Sequence, residues 1–269
     1  MKKHPILYSL IISVIIIGSI NYIAFFIFDL IPPFPTDKPL LYFLCQIIGA
    51  FLLLLLSFEQ VKSVFKCRAK GFFQGLLLGW PFIIASMITL IGAFLATKDA
   101  VFVPPRVHAV ILFIIMTLFV GFIEEVLFRG VVLRSILNKY GGSKHGMIIS
   151  VMISSFVFGL AHIVTLMIHP QLVMYTITQV IYCTFAGVLF SVVYLRCRNI
   201  FSLIILHSLV DISSLLPIIF YPSNKLVLTA DTGIAELITY VVLHIPFLII
   251  AAIYAKRLLA NHSTETYLS

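Results

Sequence analysis

Apolar residues run along this chain in long blocks, interrupted by short polar stretches, and the blocks are continuous rather than alternating. Leu53, Leu54, Leu55 and Leu56 follow one another, where a membrane β-strand would alternate apolar and polar side chains. Crossing a bilayer as a helix takes about 20 apolar residues. Eight blocks reach that length: Ile6–Leu30, Leu40–Phe58, Gly71–Ala96, Val107–Leu137, Gly146–Ile168, Gln171–Leu195, Ile200–Phe220 and Gly233–Ala255. The pattern predicts an all-α, polytopic integral membrane protein of about eight transmembrane helices. Lys2, Lys3 and His4 before the first block resemble the start of a signal peptide. The block is too long for a signal core and no small-residue cleavage site follows, so an uncleaved first helix is expected.

Composition agrees with the pattern. Of 269 residues, 61% are hydrophobic and 10% charged, and the mean hydropathy is +1.15. Soluble domains carry about 25% charge. No soluble domain, low-complexity linker or internal repeat stands out. Any chemistry therefore lies at or within the membrane.

The net charge of +8 raises the possibility of a nucleic-acid partner, but its distribution removes it. With the N-terminus placed in the cytoplasm and eight crossings, only Lys38, Lys98, Arg106 and Lys225 fall outside. Fourteen of the 18 basic residues fall inside, twelve of them beyond the apolar blocks themselves. Cytoplasmic loops carry such an excess. Both termini are therefore expected in the cytoplasm, with the bilayer as partner and no nucleic acid. Cys67 and Cys197 fall on the reducing side and Cys45 and Cys183 within spans, so disulfides are not expected. No CxxC supports a thiolate metal site.

Most acids sit at span ends or tails: Asp29, Asp37, Glu59, Asp99, Asp231, Glu236 and Glu265. Glu124, Glu125 and Asp211 do not, and neither do His162, His207 and His244. An ionisable group inside a span costs about 2.5–3.5 kcal/mol on insertion scales and usually marks function. Glu125 and Arg129 are four apart and can pair on one helix face. Glu124, rotated about 100° from its neighbour, points elsewhere and is free to face a cavity as a general acid or base. Phe158 and His162 share a face. So do His207 and Asp211, which can orient one another or stabilise a developing oxyanion. Each group also has a plain structural reading: snorkelling at the span end for Glu124, Glu125 and Arg129, a helix–helix hydrogen bond for His162, a polar clasp for His207 and Asp211. If the fourth block is helical to Leu137, Glu124 lies near its middle, at a depth shared with His162 and His207. His244, just before Pro246, reads as a packing or kink feature. Asn21, Gln46, Gln74 and Gln179 read as interhelical hydrogen-bonders, and Lys139, Arg196 and Arg198 as cytoplasmic anchors.

The three polar segments, Glu124-Glu125…Arg129, Phe158…His162 and His207…Asp211, together resemble the motif set of the CAAX protease and bacteriocin-processing (CPBP, Abi) family, EExxxR, FxxxH and HxxxN/D, in order on separate helices. The resemblance implies an intramembrane endopeptidase built as a CAAX-protease-like helical bundle. It implies a catalytic core over 106–220, preceded by helices one to three over 1–105 and followed by a last helix and tail over 221–269. Glu124 and His162 would activate water, His207 and Asp211 would form the oxyanion site, and Glu125 and Arg129 would organise the helix, with Phe158 in support. Asp211 stands where prenyl-protein-processing members have Asn, and it can donate a hydrogen bond only when protonated. Glu124, His162 and His207 also supply a donor set for zinc, so the resemblance leaves metal open beside a metal-free glutamate mechanism, which is the preferred expectation. The substrate expected is a membrane-associated peptide, lipidated or not, in a bacterial-style cell membrane. Two other readings remain: a non-enzymatic bacteriocin-immunity protein or scaffold bound to another membrane protein such as a sensor kinase, and a proton-coupled transporter.

Overall fold

A computed structural model describes residues 5–30, 38–67, 69–97, 101–221 and 233–260. Lys2, Lys3, Asp37, Arg68, Lys98, Asp99, Lys225, Asp231 and Glu265 lie outside the described residues, as do the side chains of Asn21, Asp29 and Lys38. Every regular element among the described residues is helical: α1 (Pro5–Leu30), α2 (Lys38–Val61), α3 (Ala69–Leu78), α4 (Trp80–Ala96), α5 (Val107–Glu125), a π-helical segment (Val126–Leu133), α6 (Arg134–Tyr140), α7 (Lys144–Ala161), α8 (Val164–Ile168), α9 (Val173–Cys197), α10 (Ile200–Phe220) and α11 (Ile234–Ala260).

Among the described residues, five stretches are individually long and apolar enough to cross a membrane: Val107–Tyr140, Lys144–Leu166, Val173–Cys197, Ile200–Pro217 and Ile234–Ala260. The block Gly71–Ala96, expected as one straight helix, is two helices bent by 54°. Pro81 explains the break. It lies at the start of α4 and has no N–H to continue the ladder of α3. Counted as one, this pair gives a sixth crossing. In α1 and α2 the residues whose side chains are described include the apolar stretches Ile6–Gly18 and Leu44–Glu59.

The surface of the bundle is apolar and much of its interior is small and polar. Val14, Leu77 and Val107 are more than 70% exposed, whereas Ser150, Ser191 and Ser202 are fully buried. That inversion is what a hydrocarbon solvent selects. Lipid tails do not drive helices together, so close packing of small residues and interhelical hydrogen bonds hold them. A Cβ on Gly121 would approach Ser208 Oγ to 2.6 Å, and one on Gly159 would approach the Val180 carbonyl to 2.5 Å. These glycines bring α5 against α10 and α7 against α9.

Two helix junctions place the functional side chains. α5 continues through the π segment into α6, making one 34-residue rod of which Glu124 is the midpoint. All eight residues of the π segment are buried. Its i→i+5 winding replaces the regular α-helix expected through Leu137. Ser154 of α7 donates to the Phe128 carbonyl of the segment at 3.0 Å. At the other junction, α9 ends on Arg198 in the left-handed region (φ 51°). Asn199 then caps α10, its Oδ1 accepting from Phe201 N at 3.0 Å and Ser202 N at 3.2 Å. This two-residue turn leads α10 against α4 and α5 and carries His207 into the bundle.

Several minor expectations are also resolved. Gln179 accepts from Thr165 Oγ1 at 3.3 Å, an interhelical bond as expected. Gln46 is buried with neither amide atom hydrogen-bonded, contrary to its expected role. Gln74 is exposed. The described partners of His244 are those of a packing residue: it donates to the Tyr240 carbonyl at 2.7 Å and stacks on Tyr182. The four cysteines are free thiols.

Candidate active site

Glu125 is the centre of the polar cluster. Its Oε1 accepts from Arg129 Nη1 at 3.0 Å, the i,i+4 pair that the spacing predicts, and both side chains are buried. The same oxygen lies 2.7 Å from His207 Nδ1. Arg129 lies over two aromatic rings, with its Cζ 4.6 Å from the centroid of Phe158 and 5.1 Å from that of Phe190. Its Nη2 reaches the Gly187 carbonyl at 3.5 Å. Flat aromatic faces attract a guanidinium, the more so when it is desolvated.

His207 is fixed by the same aromatic frame. Phe190 stacks on its ring at 5.5 Å and 18°, and Phe82 stacks on Phe190 at 3.8 Å. Phe158 meets the imidazole edge-on at 5.9 Å. With Nδ1 committed to Glu125, Nε2 lies at the other edge of the ring. There it faces Glu124 Oε2 at 3.6 Å and Asp211 Oδ2 at 3.9 Å. Glu124 was expected to point elsewhere than Glu125, and the two carboxylates approach opposite ring nitrogens of the same imidazole. Glu124 is 26% exposed, Asp211 25%, and Glu125 fully buried. The Asp211 contact is a loose ion-pair distance rather than a hydrogen bond. The residue that orients His207 is therefore Glu125.

His162 sits where α7 breaks, as the C-terminal cap of that helix. Its Nδ1 donates to the Phe158 carbonyl at 3.0 Å, and the two rings meet at 5.2 Å. In a neutral ring that bond leaves the lone pair on Nε2. Cys183 Sγ lies 3.6 Å from that nitrogen and donates to it weakly.

The structure thus gathers Glu124, Glu125, Arg129, Phe158, His207 and Asp211 into one cluster, with His162 joined to it through Phe158. The residues that sequence reasoning missed are Phe82 on α4 and, on α9, Cys183, Gly187 and Phe190. The three on α9 are spaced i, i+4 and i+7 and so share one face of the span that is most buried, at 61%. That spacing was the available signal.

Among the described residues, no three His, Cys, Asp or Glu side chains are grouped to hold a metal ion. His162 turns to Cys183 while Glu124 and Asp211 turn to His207.

The helices and the cluster define an all-α integral membrane protein with an ionisable, partly accessible centre among α5, α7, α9 and α10. Residues 106–213 match the family of Rce1-like type II CAAX prenyl endopeptidases. That segment, two fifths of the chain, is a CAAX protease domain of the CPBP (Abi) family, as the order of the three motifs implied. No curated protein and no solved structure matches the chain.

Proposed function

We propose that the protein is an intramembrane endopeptidase that hydrolyses a peptide bond of a membrane-associated peptide or protein with water activated by Glu124 and His162. The observation that carries this reading is a pair of acceptors beside a positioned donor. Among the described residues Glu124 Oε2 has no hydrogen-bond partner, His162 Nε2 has only the weak Cys183 thiol, and His207 Nε2 lies near both Glu124 and Asp211. A water between Glu124 and His162 has acceptors for its protons. Glu124 takes a proton as the water oxygen attacks the scissile carbonyl. His207, as the imidazolium, donates from Nδ1 to Glu125 and from Nε2 to the carbonyl oxygen as it becomes an oxyanion. Asp211 flanks that oxygen and donates to it when protonated. Glu124 then returns its proton to the leaving amine, and the C–N bond breaks. Arg129 and Glu125 touch neither water nor substrate. They hold the imidazole.

The excess of basic residues on one side supports cytoplasmic termini, and the substrate class proposed is a membrane-associated peptide, with or without a lipid. The reading is tested on purified, metal-analysed protein reconstituted in liposomes and offered a farnesylated CAAX peptide and its unmodified counterpart. Cleavage that survives a chelator supports the water mechanism. Cleavage abolished by the chelator and restored by zinc contradicts the metal-free step. No cleavage of either peptide, together with full biological activity of a normally expressed His162→Ala protein in cells, favours the scaffold or immunity reading.

A further inference from the structure

α7 and α11 both pack on α9 and enclose a groove of about 610 Å³ between them. That size is typical of ligand clefts, about 300–1,000 Å³. Its floor is Val188, Val192 and Ala251, all buried, and its rim includes Ile148 and Met152, nearly half exposed. The alanines at 251, 252 and 255 keep the α11 wall low. α7 begins at Lys144, α9 ends at Cys197 and α11 ends just beyond Lys256, so one end of the groove is where these termini meet. Lys144 and Lys256 line that end. Both are exposed, and neither forms an ion pair among the described residues. Arg196, one turn beyond Val192 on α9, lies over the Tyr254 ring at 4.9 Å, and its Nη1 is buried without a hydrogen-bond partner.

Deep apolar walls running to two lysines that form no ion pair among the described residues describe an amphiphile of one polarity: an anionic head on an apolar tail. A neutral lipid leaves the cations unmatched, and an apolar helix brings no charge to them. We propose that the groove between α7, α9 and α11 binds an anionic phospholipid, its phosphate between Lys144 and Lys256 and within reach of Arg196, its acyl chain along Val188, Val192 and Ala251. This site is separate from the cluster around His207, and the proposal does not depend on what that cluster catalyses. The two share α9: Val188 in the groove floor follows Gly187, whose carbonyl meets Arg129.

The test is lipid binding to the full-length protein in neutral detergent, read by native mass spectrometry and thermal shift. Phosphatidylglycerol and phosphatidylcholine are compared, with a farnesylated peptide as competitor. Phosphatidylglycerol should bind and stabilise selectively. Each lysine near an anionic lipid contributes about 1 kcal/mol, so the Lys144→Gln/Lys256→Gln double variant should bind it about 30-fold more weakly. Ala252→Phe, which fills the exposed rim without touching the buried floor, should remove binding while the protein stays folded. Equal binding of both lipids by the wild type, or unchanged phosphatidylglycerol binding by either variant, overturns the proposal. Displacement of the lipid by the farnesylated peptide, with an affinity indifferent to both lysines, also overturns it and assigns the groove to substrate.

Discussion

His207 Nδ1 lies 2.7 Å from Glu125 Oε1, across 82 residues of sequence. This bond ties α10 to α5 at the depth of the site. Because Glu125 also accepts from Arg129, one carboxylate sets both the direction of the imidazole and the place of the guanidinium. His207 Nε2 is left as the only ring nitrogen available to chemistry.

Arg129 should be the most costly residue of the cluster to remove. Arg129→Met leaves Glu125 buried with its charge uncompensated, and breaking such a pair costs about 3–5 kcal/mol. The melting temperature in detergent should fall by roughly 10 °C, as read by thermal shift, with activity lost along with the fold.

Gly159 sits within the FGLAH segment, and a Cβ there would press on the Val180 carbonyl at 2.5 Å and on the Thr184 hydroxyl. Gly159→Ala should therefore push α7 from α9 and part His162 from Cys183. Overpacking of this kind costs about 1–3 kcal/mol. Thermal shift and peptide turnover should both decline, in contrast to Gly142→Ala, where a Cβ meets open space.

Cys183 touches His162 Nε2 but takes no part in the proposed chemistry. Cys183→Ala should keep turnover within about tenfold of the wild type, the worth of roughly one hydrogen bond. Complete loss of cleavage in a folded Cys183→Ala protein would point to a thiol nucleophile.

Asp211 flanks the proposed oxyanion without a hydrogen bond to His207. Asp211→Asn keeps the shape and supplies a donor, so cleavage should persist. Asp211→Ala removes it and should slow cleavage by about 100-fold or more, the usual cost of one oxyanion donor.

Much of this site was legible because charge is scarce. With so few ionisable residues, Glu124, Glu125, Arg129 and Asp211 stood out inside apolar blocks, and the Glu125–Arg129 spacing alone predicted their pair. Phe190 and the Gly187 carbonyl were not legible. An aromatic ring in a membrane helix is commonplace, and a backbone carbonyl has no sequence signature, yet these groups hold Arg129 and His207. The π winding over Val126–Leu133 was hidden for a different reason. Its pitch differs from that of an α-helix too little to shift an apolar pattern that is continuous on every face. The bend at Gly79 carried a readable sign in Pro81, masked by the unbroken hydrophobicity around it.

The central claim is that the Glu124 carboxylate activates water, and its most direct measurement is the turnover of Glu124→Gln protein on a membrane-tethered peptide, beside the wild type and at equal thermal stability. The substitution keeps shape and hydrogen bonding but removes the base. Turnover should drop by about 10²–10⁴-fold with KM little changed. A Glu124→Gln protein that cleaves within a few-fold of the wild-type rate would contradict the account.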